Sequence, residues 1–393
     1  MKIIANRTNL LNAVKMAQRA LGDFKIIPEL GSLLFEADAN TGIITITGTD
    51  THTQIKCRLQ GEHILESGTM LVNPIVAEML RVLPEETVEL GFGLSNEVEI
   101  KSGNCKYSLP HLNPKKFPGI NISFPDSFIC VKGINTIIKR TIFATDPKAQ
   151  EIHKHSLQYV KLSFNNGHTM AEATNGHIAA LSQTPHGSDG KMNIILHEKA
   201  LDILSSIVSP NDELYVGIAD KYAVFMKENV VFSSRLYEGD YIESSKLVNN
   251  IKPTYKATVD ARELYELAEN ATTIFGSGDD TCINLCIVDN WVTMRTQTAT
   301  GSSQAQIPAT ETSPTNGNGF NYQSKWLLDC LKQTSGPLTL SLDQRGFMLI
   351  EANQSKYCIS PRGPVRITVS QAKKEKKTRA KSTKSKFAVP TAA

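Results

Sequence analysis

At 393 residues the chain is long for one hydrophobic core and comfortable for three domains of roughly 120 residues. Its ordinary composition has no apolar run near the roughly 18 residues that a membrane span needs, and the apolar run in MKIIANRTNLLNAV is too short for a signal peptide. The net charge of +3 is divided: residues 371–386 hold eight basic residues against one acid, which is +7 and leaves −4 on the remainder.

In chain order, an amphipathic helix is expected over Asn9–Leu21, a tight turn in Ile44-Thr-Ile-Thr-Gly-Thr-Asp-Thr-His52, and a second helix over Val76–Leu83. A strand from Thr87 and a strand–turn–strand over Val98–Leu109 follow. The same order then returns. Helices are expected over Asn135–Ala144 and Ala200–Ile207, with a strand from Glu213 and a strand pair over Ala223–Leu236. It returns again with helices over Asp260–Ile274 and Trp326–Leu331, a strand over Leu338–Leu342 and a strand pair over Phe347–Ser360. The equivalent aromatics Tyr107, Phe232 and Tyr357 are 125 residues apart each time. A repeat this long is a whole small domain copied three times, each with two helices and several short, mostly antiparallel strands. Asp260-Ala-Arg-Glu263 is a good helix start, because Asp260 can accept from first-turn amides and Glu263 can reach back.

Seven scattered cysteines, with no C-x-x-C pair, suit buried thiols in a reducing cytoplasm; Cys57, Cys105, Cys282, Cys286 and Cys358 fall in strand-like segments. The basic tail lacks the apolar content to fold alone and suits either a loose phosphate-binding arm or a solubilising tail. No phosphate-binding, dinucleotide, metalloprotease or nucleophile-elbow motif occurs. His153-Lys-His155 lacks a third ligand at a useful spacing, so no metal is expected. Asp279-Asp280 sits in a turn composition and suits solvated loop residues. Thr174-Asn-Gly-His177 is a tight turn between two strand-like runs, paralleled by the turn at His52, which suits a structural element of the repeat better than an enzyme site.

Three sets of residues resemble a known family. They are Ile27-Pro-Glu-Leu-Gly-Ser-Leu-Leu34 with Thr47-Gly-Thr-Asp50 and Leu109-Pro-His-Leu-Asn-Pro-Lys-Lys-Phe-Pro118, then Ala173-Thr-Asn-Gly-His177 with Arg235-Leu-Tyr-Glu-Gly-Asp-Tyr241, then Tyr322–Leu331 with Tyr357-Cys-Ile-Ser-Pro361. Together they resemble the bacterial sliding clamp, the beta subunit of DNA polymerase III, over about residues 1–362.

The resemblance implies an α+β fold of three clamp-type domains, at 1–126, 127–251 and 252–366, and composition adds a basic disordered tail at 367–393. It implies a head-to-tail homodimer closing into a ring around duplex DNA, with no cofactor and no catalysis. The ring would tether a DNA polymerase, which raises effective concentration without new template contacts. A clamp loader and other proteins with clamp-binding peptides are the further partners implied. The DNA-facing residues would be Lys25, Arg81, Lys154, His155 and Lys199, holding phosphates without reading bases. The dimer interface would use Tyr107 and Leu109 against Ile274 and Phe275.

One partner-peptide pocket per chain would include Leu157, Thr174, Gly176, His177, Ile178, Gln323, Trp326, Cys358, Ile359, Ser360, Pro361 and Arg362. The chain departs from the family there. Ile178 replaces the usual Arg, Asn249 the usual Pro, and Ser360-Pro361-Arg362 an ending near Met-Pro-Met, so the expected pocket is more polar and less adaptable. About thirty residues follow where the family normally stops. These departures mark a divergent member, with a phage or another mobile element as one source. A non-replicative DNA-associated scaffold on the same triplicated fold is the alternative function. A hydrolase or transferase centred on Asn175-Gly-His177 is disfavoured, because triplication builds rings and surfaces while catalysis needs an asymmetric cluster.

Overall fold

The computed structural model describes residues 1–363 except 24, 26, 94–96, 150, 187, 277–280, 300 and 314–318. Asp279-Asp280 and the 367–393 tail lie outside the described residues, as does the side chain of His153.

The six expected helices form, and a seventh is added. They are α1 (Arg7–Ala17), α2 (Val76–Val82), α3 (Ile134–Ile142), α4 (Glu198–Ile207), α5 (Ser244–Asn249), α6 (Ala261–Thr272) and α7 (Ser324–Leu331). α1 packs with α2, α3 with α4, and α6 with α7. Each presents its apolar spacing to the core, as with Leu264, Leu267, Ala268 and Ala271 of α6. The start expected at Asp260 is capped, and α1 has a further cap that was not expected. Asp260 accepts from the N–H groups of Arg262 and Glu263 at 2.9 and 3.3 Å, and Asn6 does the same for Thr8 and Asn9 at 3.1 Å each.

The strands make four antiparallel sheets. The first runs His63–Glu66, Lys2–Asn6, Thr87–Phe92, Val98–Ser102, Cys105–Leu109. The second runs Ile129–Val131, Leu214–Ala219, Tyr222–Lys227, Val230–Arg235, Thr53–Gln60, Ile43–Thr49, Leu33–Asp38, Gly68–Val72. The third runs Met192–His197, Tyr159–Asn165, His168–Thr174, Ile178–Pro185, Ser355–Ile359, Met348–Ala352, Pro337–Leu342, Tyr255–Asp260, Thr310–Ser313. The fourth runs Ser302–Pro308, Trp291–Gln297, Cys282–Val288, Phe320–Gln323.

All three predicted strand pairs form, and each keeps one register. Ile100 faces Tyr107, Phe225 faces Phe232, and Ile350 faces Tyr357. Their turns need left-handed backbone, supplied by Gly103 (φ +55°) in the first and by Asn353 and Gln354 (φ +49° and +60°) in the third. Two of the sheets cross from one repeat to the next. Val230–Arg235 of the second repeat pairs with Thr53–Gln60 of the first, with Phe232 opposite Ile55. Ser355–Ile359 of the third pairs with Ile178–Pro185 of the second, with Tyr357 opposite Ala180. All seven cysteines are free thiols. Cys105 corrects the expectation of burial: it is exposed, because its strand ends a sheet.

Candidate functional site

Short polar side chains build the turn between His168–Thr174 and Ile178–Pro185. Asn175 Oδ1 accepts from the N–H groups of His177 (2.9 Å) and Ile178 (2.8 Å), and Thr174 Oγ1 accepts from Gly176 N–H at 3.1 Å. Gly176 lies at φ +87°, with nothing within 4 Å of a Cβ built on it, so backbone conformation alone selects glycine. The turn holds His177 out to solvent, while its carbonyl accepts from Ser360 N–H at 2.9 Å. The imidazole stacks on Trp326 of α7, with centroids 4.4 Å apart and planes 15° from parallel. The Arg362 guanidinium lies 5.9 Å from the Trp326 ring, a cation–π distance. Three side chains from three elements thus form one stack where the second repeat meets the third.

The pleat divides the other expected pocket residues. Ile178 and Ile359 are 2% and 0% exposed and belong to the main core. Cys358, one residue along, joins a second apolar cluster on the opposite face with Ala179, Leu181, Leu349 and Val248. Ile178 and Ile359 therefore lie beneath the sheet, on the core side of the expected pocket. Leu157 is buried, with its carbonyl accepting from Asp146 N–H at 2.9 Å. Gln323 precedes α7 without capping it by its side chain, and its Nε2 donates to Thr281 Oγ1. Pro361 is half-buried between Ser360 and Arg362.

The five expected DNA-facing residues do not form one cluster. Lys25 is exposed at a turn that Asp23 Oδ1 closes by accepting its N–H at 2.9 Å. Arg81 pairs with Glu78 at 2.9 Å, and Lys154 with Glu151 at 3.0 Å, both on the surface, where such pairs break cheaply. His155 and Lys199 share one cavity, in which Tyr159 OH lies 3.3 Å from His155 Nε2. Three further exposed cations that sequence reasoning did not single out are Lys15 and Arg19, four residues apart in and just after α1, and Lys139 on α3. Their spacing on helices already expected was the available signal. α6 differs, exposing Glu263, Glu266 and Glu269 against the single cation Arg262.

Tyr107 and Leu109 stand on Cys105–Leu109, which pairs only with Val98–Ser102 among the described strands. Ile274 and Phe275 are half-buried after α6, beside Gly301, where an added Cβ would come 3.2 Å from Ile274 Cδ1. Gly301 leads into Ser302–Pro308, which among the described strands pairs only with Trp291–Gln297. Both expected interface pairs thus sit on or next to a sheet edge.

Residues 1–122 match the family model of the DNA polymerase III beta subunit N-terminal domain, and residues 129–243 match that of its central domain. The chain belongs to the DNA polymerase III beta subunit family. It is a bacterial-type sliding clamp by that membership. The Beta sliding clamp of Lactococcus lactis is 24% identical over 381 residues, 93% of this chain and 99% of that protein. That of Halalkalibacterium halodurans is 25% identical over 300 residues, 72% of this chain and 77% of that protein. Among solved structures, the Bacillus subtilis DNA polymerase sliding clamp aligns with a TM-score of 0.82 at 20% identity, over 93% of this chain and 99% of that one. A Pseudomonas aeruginosa clamp bound to griselimycin aligns at 0.82 and 17%, over 93% and 100%.

In this clamp chain the second cluster is covered by α5, which sequence reasoning missed because a six-residue helix shows too little periodicity. Buried Glu172 holds it. Its Oε2 accepts from Ser245 N–H (2.9 Å) and Ser244 Oγ (3.3 Å), and Lys161 Nζ lies 3.4 Å from Oε1. α5 brings Val248 over Ala179 and Leu349, while Ile251 and Phe347 border the cluster half-buried. Among the described residues no group of three His, Cys, Asp or Glu could hold a metal ion. Nor is any helix there long and apolar enough to cross a membrane.

Proposed function

We propose that two copies of this chain close head to tail into a ring around duplex DNA, three domains from each, bounded near residues 126 and 251. The function as a DNA polymerase processivity factor goes with the family. The ring acts by topology and catalyses nothing, in the cytoplasm with the DNA it serves.

The observation that carries the reading is a missing third join. In each join within the chain, the last strand of one repeat's terminal strand pair lies against the strand after the preceding repeat's tight turn. The first repeat's last strand, Cys105–Leu109, and the third repeat's Ser302–Pro308 are the two strands left over, and both are edges. Unpaired edges recruit strands. Two copies pair these two edges with each other at two equivalent seams, so that all six joins of the ring are made, which is closure by a two-fold axis.

Repeat symmetry also sets the register. The residue pairs nearest the turns, Thr49–Gln54, Thr174–Ala179 and Gln297–Ser302, align the three strands. Ser303 then corresponds to Ile55 and Ala180, so Tyr107 faces Ser303 and Cys105 faces Ala305. At the equivalent place in the second join, Ser355 Oγ and Ser182 Oγ are 2.8 Å apart, close enough that two sulfurs there could bond. The substitution Ala305→Cys should therefore give a disulfide-linked dimer through native Cys105 on mild oxidation, read on a non-reducing gel. A monomer after oxidation, or the same dimer without the substitution, contradicts this closure.

Lys25, Arg81, Lys154, Lys15, Arg19 and Lys139 are the proposed phosphate contacts. The His177–Trp326–Arg362 stack, with Ser360 and the cluster beside Cys358, is the proposed dock for peptides of polymerase, loader and other partners. An apolar floor with a few polar groups supports that use.

A further inference from the structure

A cavity of about 550 Å³ lies where the first repeat meets the second. Its walls are the counterparts, one repeat earlier, of the Trp326 site. His52 ends the turn before Thr53–Gln60 as His177 ends the turn before Ile178–Pro185. Arg235 N–H donates to His52 O at 2.9 Å, just as Ser360 N–H donates to His177 O at 2.9 Å. Before α4, His197 Nε2 lies 3.2 Å from Gln158 Oε1, as Gln323 Nε2 before α7 bonds Thr281 Oγ1. Tyr159 pairs with His197 and Cys282 with Gln323 in the same register. Counting three residues on from each of these bonds gives Ala200 in one join and Trp326 in the other. At one join an indole fills the space against the histidine; at the other a methyl group leaves it open.

The open site has its own chemistry. Arg235 and Tyr237 stand where Ser360 and Arg362 stand in the other join. Tyr237 stacks on Tyr159 at 4.2 Å, and His155 packs against both rings. Asp50 is engaged by the N–H groups of His52 and Thr53 at 2.9 and 2.6 Å, and Glu238 by Lys221 at 3.0 Å. Asp50 keeps its negative charge in the cavity, and Lys199 and Arg235 are its two cations, neither in an ion pair among the described residues. Burial, with Lys199 nearby, holds His197 down to about 4, so it is neutral at pH 7 and adds no charge.

We propose that this cavity is a second docking site on each chain, taking a short acidic segment of a partner protein. Its carboxylates would meet Lys199 and Arg235, and an apolar side chain would lie against Tyr237 and Ala200. The volume suits a few side chains and is far too small for a duplex. The choice of a peptide rests on reading the Trp326 join as a peptide dock.

The test uses the full chain and a fluorescein-labelled Asp-Leu-Glu-Phe peptide, followed by anisotropy. The Asn-Leu-Gln-Phe analogue should bind about tenfold more weakly or worse, and Lys199→Gln and Arg235→Gln should each cost about tenfold. Ala200→Trp should abolish binding by filling the space. Trp326→Ala, at the other join, should leave this affinity in place. Equal binding of the acidic and neutral peptides would overturn the proposal. So would displacement by hexathymidylate at lower concentration than by unlabelled peptide, which would mark a site for unpaired nucleotide. Loss on Trp326→Ala with none on Lys199→Gln would seat the probe at the other join, overturning the second site while leaving the first dock standing.

Discussion

Single side chains decide how alike the two joins are. Trp326 and Ala200 follow from the same hydrogen-bond frame, yet one closes a join and the other leaves it open. His197 shows how burial sets charge in that frame. Its folded-state pKa of about 4 lies below the usual value near 6.5, so the unfolded chain binds the proton first. Between those two values the unfolded state holds more protons, and stability rises with pH. Acidification from about pH 7 to about pH 4.5 should therefore remove on the order of 1–2 kcal/mol through this group, discounted for partial exposure. His197→Asn keeps an acceptor for Lys199 N–H and should flatten that part of the pH profile in urea unfolding. An unchanged profile would show that other groups carry the acid sensitivity. At this scale the sequence marked His177 as a turn residue, while its place beside Trp326 and Arg362 came only through family position. Nothing in composition or spacing reveals that Ile178 and Cys358 face opposite sides, because that requires the strand's true start.

Among elements, the long periodic ones were legible and the short one was not. The paired helices and terminal strand pairs repeat their spacing three times, so each copy corroborates the others. α5 occurs once and is held mostly by tertiary contacts. Lys161 bridges Glu172 and Glu243, 3.0 Å from the latter, and Tyr241 OH donates to Glu172 O at 2.7 Å. Glu172→Ala should leave the start of α5 uncapped and Lys161 partly uncompensated, costing about 3 kcal/mol. Amide exchange should accelerate at Ser245–Val248 before it does in the sheet. Uniform acceleration across the third sheet would instead mean that α5 and the sheet open as one unit. Cys105 is the converse lesson. A strand-like segment predicts burial only where a neighbour covers it, and its neighbour belongs to another copy in the proposed ring.

The whole molecule is a row of three alike units whose sheets run through both internal joins. The repeat interval made the three-fold organisation legible, because it fixes equivalent residues independently of any motif. Sheets that pass from one repeat to the next were not legible, since pairing partners more than a hundred residues apart leave no local pattern. The proposed ring closes through what those sheets leave unpaired. The measurement that tests it most directly uses Ala305→Cys protein oxidised in the presence of nicked circular plasmid and then challenged with about 1 M NaCl, which screens phosphate contacts. The account predicts that linked dimers remain on circles through the salt and leave when a single cut makes the DNA linear. Release from intact circles as fast as from linear DNA would contradict it.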